Sequence, residues 1–158
     1  MKRDALRIYL GDHLAGAGAG VEIARRIADS YKGTAEEPAF RQLAADIEAD
    51  RQTLIEIRER LDMARAPLKE AVAWVGEKVA QIKLSDAVTG DAHMTRLLEL
   101  ETLETGISGK LGLWRALEVV PSPERLGVDL ELLERRAKEQ RRFVEQHRIE
   151  EARAAFAA

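Results

Sequence analysis

In three places, polar side chains stand on or beside apolar helical stripes, and these are the positions where chemistry could be done. His13 occupies a seam position between Leu10 and Ala17. Asp50 lies between Ile47 and Leu54 and is flanked by Glu48 and Arg51. Glu104 lies between Leu100 and Ile107, with Glu101 one turn before it. Burying a carboxylate is costly unless it is paired, hydrogen-bonded or bound to metal. Three readings follow: the residues sit at a stripe edge and reach water, they form a buried salt-bridge network, or they hold a metal or ligand. His13, Glu48, Glu101 and Glu104 together could supply nitrogen and oxygen donors to Fe, Mn or Zn.

A second group is glycine-rich. Gly16, Gly18 and Gly20 look at first like a phosphate loop, but the run lacks the Walker lysine, Val21 stands where a dinucleotide fingerprint needs Gly, and no strand precedes it. A glycine inside a helix costs about 1 kcal/mol relative to alanine, so the run needs a compensating role. Downstream, Gly106, Ser108, Gly109 and Gly112 form a matching stretch. Small residues on two helices, with Gly16, Gly20 and Gly109 as the leading positions, either let the backbones approach closely or leave room for a ligand or for a ring such as Trp74 or Trp114.

Other constellations offer less. Of Ser30, Ser85, Ser108 and Ser122, only Ser108 falls mid-helix, and it lacks a nucleophile elbow. His93 and His147 read as surface residues, and Glu56 with Glu59 as ordinary exposed helix charges.

The elements that must position these residues are helices. Apolar residues recur at spacings of three and four in five segments. The first runs from about Asp4 to Tyr31 and stops at Gly33. The second runs from about Ala35 to Met63, with Thr34 and Glu37 spelling a capping box. The third runs from Pro67 to about Lys83, close enough to the second to form a hairpin with it. The fourth runs from about Ala92 to Val120 and ends before Pro121. Asp129 caps the fifth, which extends towards Phe156 and carries only a thin stripe of Leu130, Leu133, Ala137, Val144 and Ala155. Residues 1–120 therefore read as an antiparallel four-helix bundle. Residues 121–158 read as a proline-containing linker and a charged helix packing on the bundle or on a partner subunit.

With 158 residues, 46% hydrophobic and 34% charged, the chain is expected to be one all-α domain. A net charge of −3 gives no electrostatic footprint for nucleic acid. The lack of cysteine removes disulfides, thiolate chemistry and iron–sulfur sites. No apolar run is long enough to span a bilayer and no signal-peptide core is seen, so the expected location is the cytoplasm.

The segments Tyr9-Leu10-Gly11-Asp12-His13-Leu14-Ala15-Gly16, Ile47-Glu48-Ala49-Asp50-Arg51 and Leu98-Glu99-Leu100-Glu101 resemble a bacterial branch of the ferritin-like superfamily of four-helix bundles, over roughly residues 4–120. The resemblance implies a ferritin-like bundle with an added C-terminal helix. The family's di-iron chemistry needs a Glu from each of two helices and a Glu-x-x-His from each of the others. Here the residue three before His13 is Leu10, before His93 it is Gly90, and before His147 it is Val144. Glu48 is followed at three residues by Arg51, and Glu101 by Glu104. A guanidinium cannot ligate a cation but can neutralise carboxylates in its place, so the metal centre is expected to be absent or remodelled. The expected function is a non-enzymatic bundle acting through self-association, as a dimer, or through a protein partner. The alternatives are a remodelled metal-handling or oxidase site and a small-molecule-binding bundle.

Overall fold

The computed structural model describes residues 2–63 and 90–157. Among them are four long α-helices and no strand: α1 (Arg3–Ser30), α2 (Glu37–Arg60), α3 (Ala92–Glu118) and α4 (Leu130–Phe156), with a short 3-10 turn at Pro123–Leu126. The boundaries follow the apolar periodicity and the punctuation. Asp91 caps α3 by accepting from the His93 N–H at 2.8 Å, and Asp129 caps α4 by accepting from the Leu132 N–H at 2.9 Å. The segment expected to be a helix from Pro67 to Lys83 lies outside the described residues, as do its hairpin with α2 and Trp74.

The turn between α1 and α2 departs from the expected capping box. The Thr34 hydroxyl donates backwards to the Tyr31 carbonyl at 2.8 Å, closing the end of α1, and Glu37 accepts from the Gly33 N–H at 2.7 Å. Gly33 has φ +82°, and Glu36, in helical conformation, stands at the N-cap of α2. Because α2 starts at Glu37, Thr34 is not its N-cap and Glu37 is not its third residue, so the two side chains serve the turn instead of each other.

Contacts at the helix ends give the topology. Arg3 donates to the Leu61 carbonyl at 2.6 Å, joining the start of α1 to the end of α2. Arg60 donates to the Leu126 carbonyl at 2.9 Å, bringing the connection between α3 and α4 to the same end. At the opposite end Arg96, early in α3, donates to the Ser30 carbonyl at 3.3 Å, and Tyr31 reaches Glu151 of α4. Helix α1 therefore runs antiparallel to α2 and α3, and α4 runs antiparallel to α2 and α3. Helix α2 ends at one end of the bundle, and α3 begins at the other.

The core falls into two halves. One gathers Ile27, Tyr31, Phe40, Leu43, Leu100, Leu103 and Val144; the other gathers Leu10, Leu54, Ile57, Trp114, Leu117, Leu126 and Ala137. Each half draws on all four helices, so the C-terminal helix is a full wall of the bundle and not an addition to it. Its polar composition hides a narrow buried stripe of Leu133, Ala137, Gln140, Val144, His147 and Glu151, spaced by four and three as a bundle seam requires.

Candidate functional site: a glycine-lined pocket beside a buried ion network

At the level where the two core halves join, the interior turns polar. Asp50 of α2 is 2% exposed. One of its carboxylate oxygens accepts from the Lys110 ammonium of α3 at 2.5 Å and from the Gln140 amide of α4 at 3.1 Å. The other accepts from the Arg136 guanidinium of α4. Lys110 also donates to the Gln140 side-chain oxygen at 2.5 Å. Three helices are thus tied through one carboxylate. Burial pushes the Lys110 amine below its ordinary value and Asp50 opposes that shift, while the Arg136 charge adds to it.

Beside this network lies a pocket of about 90 Å³ between α1, α2 and α3. Its α1 wall is His13, Gly16, Ala17 and Gly20. Ile47, Asp50, Arg51 and Leu54 line it from α2, and Leu103, Gly106, Ile107, Lys110, Leu113 and Trp114 from α3. The glycines are not in tight helix–helix contact. A Cβ built at Gly16, Gly20 or Gly106 would meet no atom within 4 Å. Their missing side chains correspond to open space, so close backbone approach does not account for them. Gly106, on the pocket rim, and Gly109, off the pocket, are both exposed, so the space around them includes solvent.

Two further polar groups border the pocket. Trp114 is 1% exposed, and its indole N–H has no hydrogen-bond partner among the described residues. A buried tryptophan N–H normally finds an acceptor. His13 packs edge-on to Tyr9 at 4.6 Å. Burial lowers its pKa, with Asp12 partly offsetting the effect, so the ring is neutral at neutral pH.

The residues marked out by the sequence pattern separate into two places. His13, Gly16, Gly20, Asp50 and Arg51 meet around the pocket. Glu48 sits at its outer edge, pairing with Arg51 at 3.2 Å and with Arg25 at 3.1 Å. Glu101 and Glu104 face away from it, into a surface groove beside α4 with Arg141 and Arg148. Glu104 accepts from Ser108 at 3.0 Å, which ties that hydroxyl to its own helix. The four donors considered for Fe, Mn or Zn therefore do not converge, and no group of three or more His, Asp or Glu among the described residues is placed to hold a metal ion. The di-iron chemistry of ferritin-like proteins does not fit these residues.

A second cluster, buried at Tyr31 and Glu151 and open to the surface at His93, was not expected from the sequence. The Tyr31 hydroxyl donates to the Glu151 carboxylate at 2.5 Å, His93 Nδ1 lies 2.7 Å from the other Glu151 oxygen, and Arg96 approaches at 3.4 Å. The Arg96 guanidinium stands 4.9 Å from the Tyr31 ring centre, and Phe40 stacks on the other side of the sequence turn at 4.1 Å. Burial pushes the Tyr31 hydroxyl far above its ordinary value, and the Glu151 charge adds to this. For Glu151 burial acts upward, but donation from Tyr31, His93 and Arg96 outweighs it and holds the carboxyl below its ordinary value. His147, expected at the surface, is buried against Phe40 and Phe143 at 4.9 and 4.3 Å. It stands on the apolar seam of α4, and its Nδ1 lies 2.9 Å from the Phe143 carbonyl.

No helix among the described residues is long and apolar enough to cross a membrane. No family model, curated protein or solved structure matches the chain.

Proposed function

We propose that this chain is a non-enzymatic, ferritin-like helical bundle that binds a small ligand in the central pocket. The observation that carries the reading is the pocket wall itself. Half-buried Gly16 and Gly20 leave space that a Cβ would not fill, beside the buried Trp114, whose indole N–H is unpartnered among the described residues. Protein interiors are close-packed and leave few voids, and helical glycine is destabilising. A ligand gives both features a use, and a mainly apolar wall with a few polar groups suits one.

The ferritin-like build is supported by topology. Helix α2 ends opposite the start of α3, and ferritin-like bundles carry one long crossover connection at this point. The non-enzymatic reading is supported by the scattered carboxylates, of which Glu101 and Glu104 face the α4 groove and not the pocket.

The test is thermal unfolding of the full chain with butyrate, butyramide and 1-butanol as probes. A pocket ligand must raise stability, by about 2.7 kcal/mol at a hundred times its Kd. The reading predicts that at least one probe raises the Tm of the wild type and none raises that of Gly20→Leu, which fills the space. No shift in the wild type, or equal shifts in both proteins, would contradict it.

Self-association is a second reading, favoured by one observation. Ile8 and Val119 are 69% and 83% exposed, and with Leu132 they lie towards the same end of the bundle. Phe156, 68% exposed, lies at the other end, and the cluster of three suits a contact with a second copy. Sedimentation would show a dimer that Val119→Glu weakens; a monomer at high concentration would remove this reading.

A further inference from the structure

We infer that the pocket selects a short-chain monocarboxylate, whose negative charge the Lys110 ammonium receives. The inference rests on the reading that the pocket takes a ligand, and it names that ligand's class.

Among the described residues two cations, Lys110 at 15% exposure and Arg136 at 30%, share the carboxylate of Asp50. Gln140 is neutral, and Arg51 stands 36% exposed at the rim, where it shares Glu48 with Arg25. Asp46 attracts Lys110 from a turn away, but its carboxylate accepts from Gln42 at 2.8 Å and does not line the pocket. Lys110 is the more buried of the two cations, and a buried cation is costly unless an anion matches it.

An ammonium carries three donors. Lys110 uses them on Asp50 and Gln140 and has no further acceptor among the described residues. The Trp114 N–H is likewise without an acceptor. Both residues border the same space. A carboxylate is acceptor-only and offers about four lone-pair positions, so it can answer two unused donors at once. Charge-assisted bonds of this kind are roughly twice as strong as neutral ones.

A cavity of about 90 Å³ is smaller than the roughly 150 Å³ that admits benzene. Leu54, Leu103, Ile107 and Leu113 supply an apolar wall for a short alkyl tail.

The experiment is calorimetric titration of the full chain at neutral pH with butyrate and with its neutral counterparts butyramide and 1-butanol. Butyrate is expected to bind about tenfold tighter than either, a difference of about 1.4 kcal/mol. Lys110→Met is expected to weaken butyrate about tenfold while leaving 1-butanol within about twofold. Asp50 keeps Arg136 and Gln140 in that variant; Lys110→Gln replaces it should the methionine protein fail to fold. Neutral probes binding as tightly as butyrate, or butyrate binding that a folded Lys110 variant does not weaken, would overturn the inference and leave the pocket reading standing. Binding of none of the three would overturn both.

Discussion

The Asp50 carboxylate and the Lys110 ammonium meet at 2.5 Å where the two halves of the core join, with Arg136 on the carboxylate's other oxygen. The arrangement is asymmetric. Removing the anion strands two cations, whereas removing one cation leaves the anion paired. Asp50→Ala is therefore expected to cost about 3–5 kcal/mol, the range for breaking a buried pair, and Lys110→Met distinctly less. Urea unfolding followed by circular dichroism checks this; equal losses in the two variants would contradict the asymmetry.

The end of the bundle that holds Tyr31 and Glu151 should respond to acid. The native pKa of Glu151 is lowered from the ordinary value of 4.5. Its contribution to stability is then fully present above that value and is lost as pH falls through the lowered native one. Glu151→Gln should lower stability at neutral pH and flatten the loss below pH 4.5. Tyr31→Phe keeps the stack on Phe40 but removes a hydrogen bond to a charged acceptor, at a cost of about 1.5–3 kcal/mol. A neutral-pH stability of Tyr31→Phe equal to wild type would count against this account.

His13 adds a separate and milder window. Burial lowers its native pKa below 6.5, so the unfolded chain takes up the proton first as pH falls. Stability attributable to His13 is present above 6.5 and declines as pH falls towards the lowered native value. His13→Asn should remove that decline while leaving the Glu151 window in place. Parallel stability–pH curves for the two proteins would refute the assignment.

The helices were legible because each carries an apolar repeat ended by Gly33, Pro121 or a capping Asp. Asp50 and His13 were legible because a polar residue interrupts a stripe. Their partners were harder to find for a physical reason. Lys110 lies three residues after Ile107 and four before Trp114, and Gln140 and His147 fall on the seam of Leu133, Ala137 and Val144. Long or amphipathic side chains at seam positions look like solvated helix charges, because sequence spacing does not show whether a head group reaches water or a carboxylate on another helix. The same limit applied to Glu101 and Glu104. They share a helix with the inward stripe but face the α4 groove, a rotation that packing alone decides. The glycines were ambiguous for the complementary reason: an absent side chain serves close approach and open space equally well, and only the neighbouring atoms distinguish them.

The central claim is that this space is kept open for a ligand, and the Gly16→Ala/Gly20→Ala double variant tests it most directly. Each methyl would enter space with no atom within 4 Å and would gain about 0.5–1 kcal/mol of helix stability. The unfolding free energy is predicted to rise while the ligand-induced increase in Tm shrinks or vanishes. A less stable double variant, or one that still responds to ligand as the wild type does, would contradict the account.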